Sequence, residues 1–459
     1  MHASDRRRHR CIYAGVVIMC MLAMGIAAVE ASAEPGGEQC AGVSITAHGT
    51  GLQSNIQSNL TSAFNTSPNS LACDGSQGSH EKPTVSYINW GSLLAQESWG
   101  EEPSEGVTLN FGPNNAYIGS DEAPTLAQKA EIESHTEGAK LLTIPVAQYA
   151  IAVIVHLPEH CESVTGGPTP GRLALKWGVL ERVFRGTATS WTELLNGAEM
   201  TGAGCVKGAK VQRVVRADRS GQTMLLKKFL NVINSKEIES GKTWYALALA
   251  PNNLVWPSEG SDPVVRAEGT AGVARAVEER PGSVGYGALS IIRGGVAKFI
   301  PPLGGSGRPT FWVTVQNGVD LEKNPTYADP STNEEAEAKA KSNCEETFYT
   351  DGAKKWAPST EETWIEVTTA KKEQHYPVCG FMYDFSLTKF NGVHPSSESP
   401  TAGSVRTAFD YLNFVLSSGT GGGQTHIDEG EDLLSLPVAE EAQKNVLKRA
   451  REGVSKIAF

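Results

Sequence analysis

The chain has 459 residues, of which 40% are apolar and 20% charged, and its formal net charge is −11. That length exceeds what one small core organises, so two or more domains are expected. The acidic balance excludes nucleic acid and anionic membrane as partners, and it obliges any anion site to work by short-range hydrogen bonds in a dry pocket.

Arg6, Arg7, Arg8 and Arg10 precede an apolar stretch from about Ile12 to Val29, and Ala31-Ser32-Ala33 follows as a small-x-small cleavage site. Basic, apolar and small in that order is a secretory signal peptide, expected over residues 1–33, with a retained anchor as the alternative. Loss of its four arginines and two acids takes the net charge to −13. No later apolar run is long enough to span a bilayer, so the mature chain is expected to be exported and soluble. Cys40, Cys73, Cys161, Cys205, Cys344 and Cys379 remain after cleavage. An even number in an exported chain suggests disulfides, and nearest-neighbour pairing would staple three loops. Zinc is the weaker alternative, because none of the six forms a Cys-x-x-Cys pair.

Strand-like and helix-like segments then alternate. Val43 to Ala47 reads as a strand, and Leu52, Ile56, Leu60 and Phe64 recur every four residues on one helix face. Val85 to Ile88 alternates as a strand does, and Tyr117-Ile118-Gly119 is a strand end. Leu141 to Ile144 and Tyr149 to Val155 are two β-branched runs suited to a buried sheet. Val211 to Val215 is a strand, followed by a helix through Met224, Leu225, Phe229, Leu230 and Ile233. A helix over 271–279 stops at Pro281-Gly282, and Ser283 to Tyr286 is a strand. Residues 305–375 are rich in Glu, Lys, Asn, Thr and Pro and read as a surface insertion stapled by Cys344. Val378 to Phe385 is strand-like and Val405 to Leu416 helical. This alternation implies α/β architecture with largely parallel sheets.

Three loops share a design: each follows a strand, carries Gly with Ser or Thr, and leads towards a helix. They are His48 to Leu52, Trp90-Gly91-Ser92 and Arg216 to Thr223. Open amides at a helix N-terminus bind anions, although Ser or Thr there also serves as an ordinary N-cap. Tyr117 to Pro124 adds Asp121 at a strand end. A carboxylate accepts the proton that phosphate carries at neutral pH, and it repels sulfate, which has none. A simple helix-capping role for Asp121 and a surface pairing of Arg216 with Asp218 are the plainer readings. There is no Gly-x-Ser-x-Gly elbow and no His-Glu-x-x-His, so neither an enzyme nor a metal site is expected.

In this order the segments resemble the extracytoplasmic phosphate-binding protein of ABC-type phosphate importers, in the periplasmic-binding-protein superfamily. Residues 47–53, Gly91-Ser92, 117–124, Ile144 to Pro158, Arg216 to Gly221, Pro281 to Tyr286 and Leu436-Pro437 carry the likeness. The resemblance implies two α/β lobes with a hinge and the ligand cleft between them. Lobe 1 would take 34–145 and 287–459, and lobe 2 would take 146–286. It implies phosphate as ligand, no cofactor, and permease subunits as partners of a periplasmic or cell-surface monomer. The implied cage is the Thr50 hydroxyl, the Gly51 amide, Ser92, Asp121 as proton acceptor, Arg216 held by Asp218, Ser220, and the amides of Gly221 and Gln222. Gln222 stands where the family has a hydroxyl, and Gly51 where it has an aromatic or Ser. Sulfate, molybdate or another oxyanion is the rival ligand, and a surface module without transport is the rival role.

Overall fold

The structure is a computed structural model. It describes residues 42–66, 83–100, 112, 114–206, 208–249, 252–294, 299, 309–320, 323–333, 340–344, 348–349, 357–369, 375–391, 400–429, 432–438 and 445–459. The expected leader, Cys40 and Cys73 lie outside these residues.

The strands that position the site are β1 (Ile45–Gly49), β2 (Val85–Asn89), β3 (Ile118–Ser120), β4 (Leu141–His156), β5 (Gln212–Arg216), β6 (Val265–Ala267), β7 (Ser283–Ala288), β8 (Thr310–Trp312) and β9 (Cys379–Leu387). They lie in the order β2-β1-β3-β9-β4-β7-β5-β6, with β8 also on β4. β1 is parallel to β2 and β3, and β5 is parallel to β6 and β7. β9 and β7 run antiparallel to β4. The fold is α/β and two-lobed: β4 is shared by two half-sheets, and its partner changes from Cys379 opposite Ala150 to Ala288 opposite Ile151.

β4 corrects the expectation of two separate runs. It continues through Pro145 as one strand, buried at every position but His156. Proline has no N–H for the ladder, so a central strand tolerates it only at an irregularity. Here Tyr383 opposes Pro145 while Met382 opposes Ala147, leaving Val146 as an extra residue. That bulge absorbs the missing donor. Full burial of each Leu, Ile or Val contributes about 1.5–3 kcal/mol, so this strand is a firm spine for both half-sheets.

The helices follow their apolar periodicity. A short 3-10 turn (Gly51–Gln53) leads into α1 (Ser54–Thr66), and Leu52, Ile56, Leu60 and Phe64 are all buried. α2 (Ser92–Ser98) follows β2, α3 (Gly221–Ile233) follows β5, and α4 (Gly269–Glu278) follows β6. The polar stretch 305–375 is not wholly a surface insertion. Phe311, Trp312, Val313 and Val315 are fully buried, and β8 pairs with the end of β4. The charged flanks of this apolar run dilute it in any average over the stretch.

Two of the three expected cysteine pairs are in place. Cys161 joins Cys205 across 4.8 Å between Cα atoms, and Cys344 joins Cys379 across 5.9 Å. The second ties the polar stretch to the first residue of β9.

Candidate functional site

All four site loops leave the carboxyl ends of parallel strands, where ligands bind in open α/β sheets. β1, β2 and β3 deliver Thr50, Ser92 and Asp121 from one half-sheet. β5 delivers Arg216 to Gln222 from the other.

On the first side, Thr50 and Ser92 have different roles. Thr50 is buried and caps the 3-10 turn, its Oγ1 accepting from the Leu52 amide at 3.2 Å. Its backbone N–H donates to Gly119 O at 3.0 Å, and Tyr87 Oη donates to Thr50 O at 3.0 Å, so the loop is fixed by both neighbouring strands. A Cβ on Gly51 would lie 2.7 Å from the side-chain amide nitrogen of Asn89, an exposed residue that can turn aside. Ser92 Oγ donates to Asp121 Oδ1 at 2.6 Å and accepts from the Asp121 amide at 3.2 Å. Asp121 is buried, and Tyr149 Oη donates to its carbonyl at 2.9 Å. Asp121 is therefore held by Ser92 and Tyr149, which is more than helix capping needs.

On the second side, Arg216 is buried and its guanidinium is gripped bidentately by Asp218, Nε to Oδ1 at 2.8 Å and Nη2 to Oδ2. Nη1 donates to Thr270 Oγ1 at 3.3 Å, and Asp218 Oδ1 also accepts from the Gly269 amide at 2.9 Å. Burial works against the Arg216 charge, but the bonded Asp218 carboxylate outweighs it and raises the guanidinium above its ordinary value. Burial likewise works against the Asp218 charge, yet Arg216 and the Gly269 amide hold that carboxyl below its usual range. Both groups thus stay ionised across neutral pH, and the Arg216 fork is oriented in advance. The pair is no freely exposed surface pair: Arg216 is buried and Asp218 is half-buried.

Ser220 is the N-cap of α3, its Oγ accepting from the Gln222 amide at 3.1 Å. Gln222 is expected to contribute its backbone amide, and its side chain is engaged elsewhere. Its amide serves this cap, and its Oε1 accepts from Thr270 Oγ1 at 2.7 Å and from the Ala288 amide at 2.9 Å. This long side chain reaches past the cage and ties α3 to β7. Gly221 is where the two sides meet. A Cβ on it would lie 2.2 Å from Asp121 O and 2.9 Å from Asp121 Oδ1.

One pair escapes sequence reasoning. Arg219 Nη2 donates to Glu122 Oε1 at 2.7 Å, and both side chains are largely buried. Each neighbours a residue singled out above, but 97 positions separate them, and no local pattern joins them. Among the described residues, no group of three or more His, Cys, Asp or Glu could hold a metal ion.

No protein-family model and no curated protein sequence matches the chain. Solved structures do. A high-affinity periplasmic phosphate-binding protein, PfluDING, solved with phosphate bound, is 16% identical, with 91% of this chain and 99% of that chain covered and a TM-score of 0.53. The ancestral soluble variant of the human phosphate binding protein is 15% identical over 90% of this chain and 98% of that one, with a TM-score of 0.54. A phosphate-binding protein from Stenotrophomonas maltophilia is 17% identical, with coverages of 89% and 93% and a TM-score of 0.50. The chain therefore has the two-lobed fold of these phosphate-binding proteins.

Proposed function

We propose that this chain captures inorganic phosphate outside the membrane and delivers it to the permease subunits of an ABC-type importer, acting as an exported monomeric receptor without catalysis. The observation that carries the reading is the meeting of Asp121, with one oxygen bonded by Ser92, and the Ser220-Gly221 start of α3, beside an Arg216 already oriented by Asp218. A 13-residue helix aims its positive end at this point, and Arg216 supplies a full charge. The carboxylate tolerates only an anion that brings a proton to share. Phosphate does so at neutral pH, and sulfate does not.

Titration calorimetry of the mature chain tests this directly. Phosphate is expected to release heat and raise the melting temperature, and sulfate to do neither. With Asp121→Asn, phosphate affinity is expected to fall about 10- to 100-fold, the loss of one charge-assisted bond, while sulfate binding appears. Unchanged selectivity in that variant removes the role given to Asp121. No heat and no thermal shift at millimolar phosphate favours a surface module that has lost transport.

Gly221→Ala is expected to weaken phosphate binding about 10- to 100-fold with little change in secondary structure, because the new methyl overpacks against Asp121 backbone rather than a yielding side chain. Calorimetry with circular dichroism checks it. Wild-type affinity would show that the two sides do not close on each other here.

A further inference from the structure

Residues 359–367 touch both half-sheets. On the first, the Thr143 amide donates to Thr360 O at 2.7 Å. The Trp364 ring meets Phe381 and Tyr383 of β9 edge-on, with centroids 5.9 and 6.3 Å apart. Trp364 is buried, and its φ of 58° is one that a bulky residue rarely adopts. At that turn the chain passes to the second side. There Lys228 of α3 donates its Nζ to Ile365 O and to Val367 O, the latter at 2.8 Å, and Tyr245 Oη donates to Glu366 Oε1. Lys228 is buried, so these carbonyls replace the water its ammonium has lost. Lys228, Trp364 and Val367 line one cavity together with Asp121, Glu122 and Gly221. The segment thus lies over the seam where Asp121 meets Gly221, beside the Arg219–Glu122 pair.

We propose that residues 359–367 form a strap that holds the two sides of the cleft closed, so that Lys228 must leave the carbonyls of Ile365 and Val367 before the cleft can open. On this account the polar stretch sets how fast the cleft opens. The strap's effect on ligand release rests on the phosphate reading, whereas its effect on molecular shape does not.

The test compares the full mature chain with Lys228→Met and with the double variant Tyr245→Phe/Glu366→Ala. Two quantities are read: the ligand-free radius of gyration by small-angle X-ray scattering, and the rate of phosphate dissociation by stopped flow. Loss of the bonds to the ammonium is expected to enlarge the ligand-free particle and to speed phosphate release about tenfold. The double variant is expected to shift both in the same direction by less. Unchanged size and release in both variants overturn the strap. Should Lys228→Met fail to fold, the double variant decides alone, since its pair is exposed and its loss leaves the interior intact. If the wild type binds no phosphate, the phosphate reading fails, and scattering still judges the strap.

Discussion

Arg216→Met is expected to lower phosphate affinity about 100- to 10,000-fold, because two charge-assisted hydrogen bonds of roughly 1.5–3 kcal/mol each are lost together. The side chain does not wait in solvent to be recruited. Asp218 holds it bidentately and Thr270 takes a third N–H. The ordering entropy is thus settled before the ligand arrives. The replacement has a second effect. Asp218, whose pKa Arg216 helps to lower, is left without its cation and bonded only to backbone amides such as that of Gly269. Arg216→Met/Asp218→Asn is therefore expected to recover part of the loss. Arg216→Lys is expected to recover little, since an ammonium cannot make the planar fork that Asp218 grips. Calorimetry on the three variants reads these differences, with a melting curve for each to establish folding. A loss below tenfold in Arg216→Met would mean that the anion is held by other groups, Arg219 being the nearest cation in the loop.

Much of this site is legible in the sequence because its parts are local. A strand, a Gly-Ser turn and an apolar-periodic helix announce a helix N-terminus wherever they occur in that order, and Arg216-x-Asp218 places both charges within one turn. The strands and helices follow for the same reason, since period-two and period-four apolar patterns are short-range. What the sequence hides is long-range or masked by its neighbours. Glu122 and Arg219 are 97 positions apart, and Lys228 and Val367 are 139 apart. Neither contact leaves a periodic trace. Position in the motif assigns the Gln222 backbone amide to the cage, but nothing local foretells that its side chain reaches Ala288. The gap between the runs 141–144 and 149–155 begins at Pro145, and only the bulge on β4 shows how the strand continues through it. The apolar core of 310–315 is lost among the charges around it.

Asp384→Asn is expected to stabilise the protein at pH 8 and to leave it unchanged near pH 4. Asp384 lies on β9 with no solvent exposure, opposite Gly119 and Ile144, and neither carboxylate oxygen has a partner in good hydrogen-bond geometry. Its surroundings are Gln53, Gln57, Tyr87, Tyr117 and Tyr411, and no cation among the described residues offsets it. Burial pushes its pKa up to about 7, against the weaker pull of the nearby Gln53 and Gln57 amides. In the unfolded chain the group titrates near 3.9. Between these values the folded state holds a proton that the unfolded state has released, so stability from this residue is full below about pH 4 and is lost as pH rises towards 7. The loss is at most roughly 1.4 kcal/mol per pH unit, or about 4 kcal/mol in all. Asn presents the same shape, does not titrate, and escapes this loss. Carboxylates such as Asp218, held below their usual range, slope the other way and are lost as pH falls. For that reason the quantity to measure is the difference between wild type and variant in urea midpoint from pH 4 to 8. That difference should grow with pH and flatten above 7. The network reaches the site: Gln53 Nε2 donates to Ser120 O at 3.2 Å and to Tyr383 O at 2.9 Å, joining the turn after Thr50 to the residue before Asp121. A parallel pH dependence in the two proteins would show that Asp384 is solvated in the folded state. A growing gap would identify it as a buried acid that holds its proton at the core of the lobe carrying Asp121.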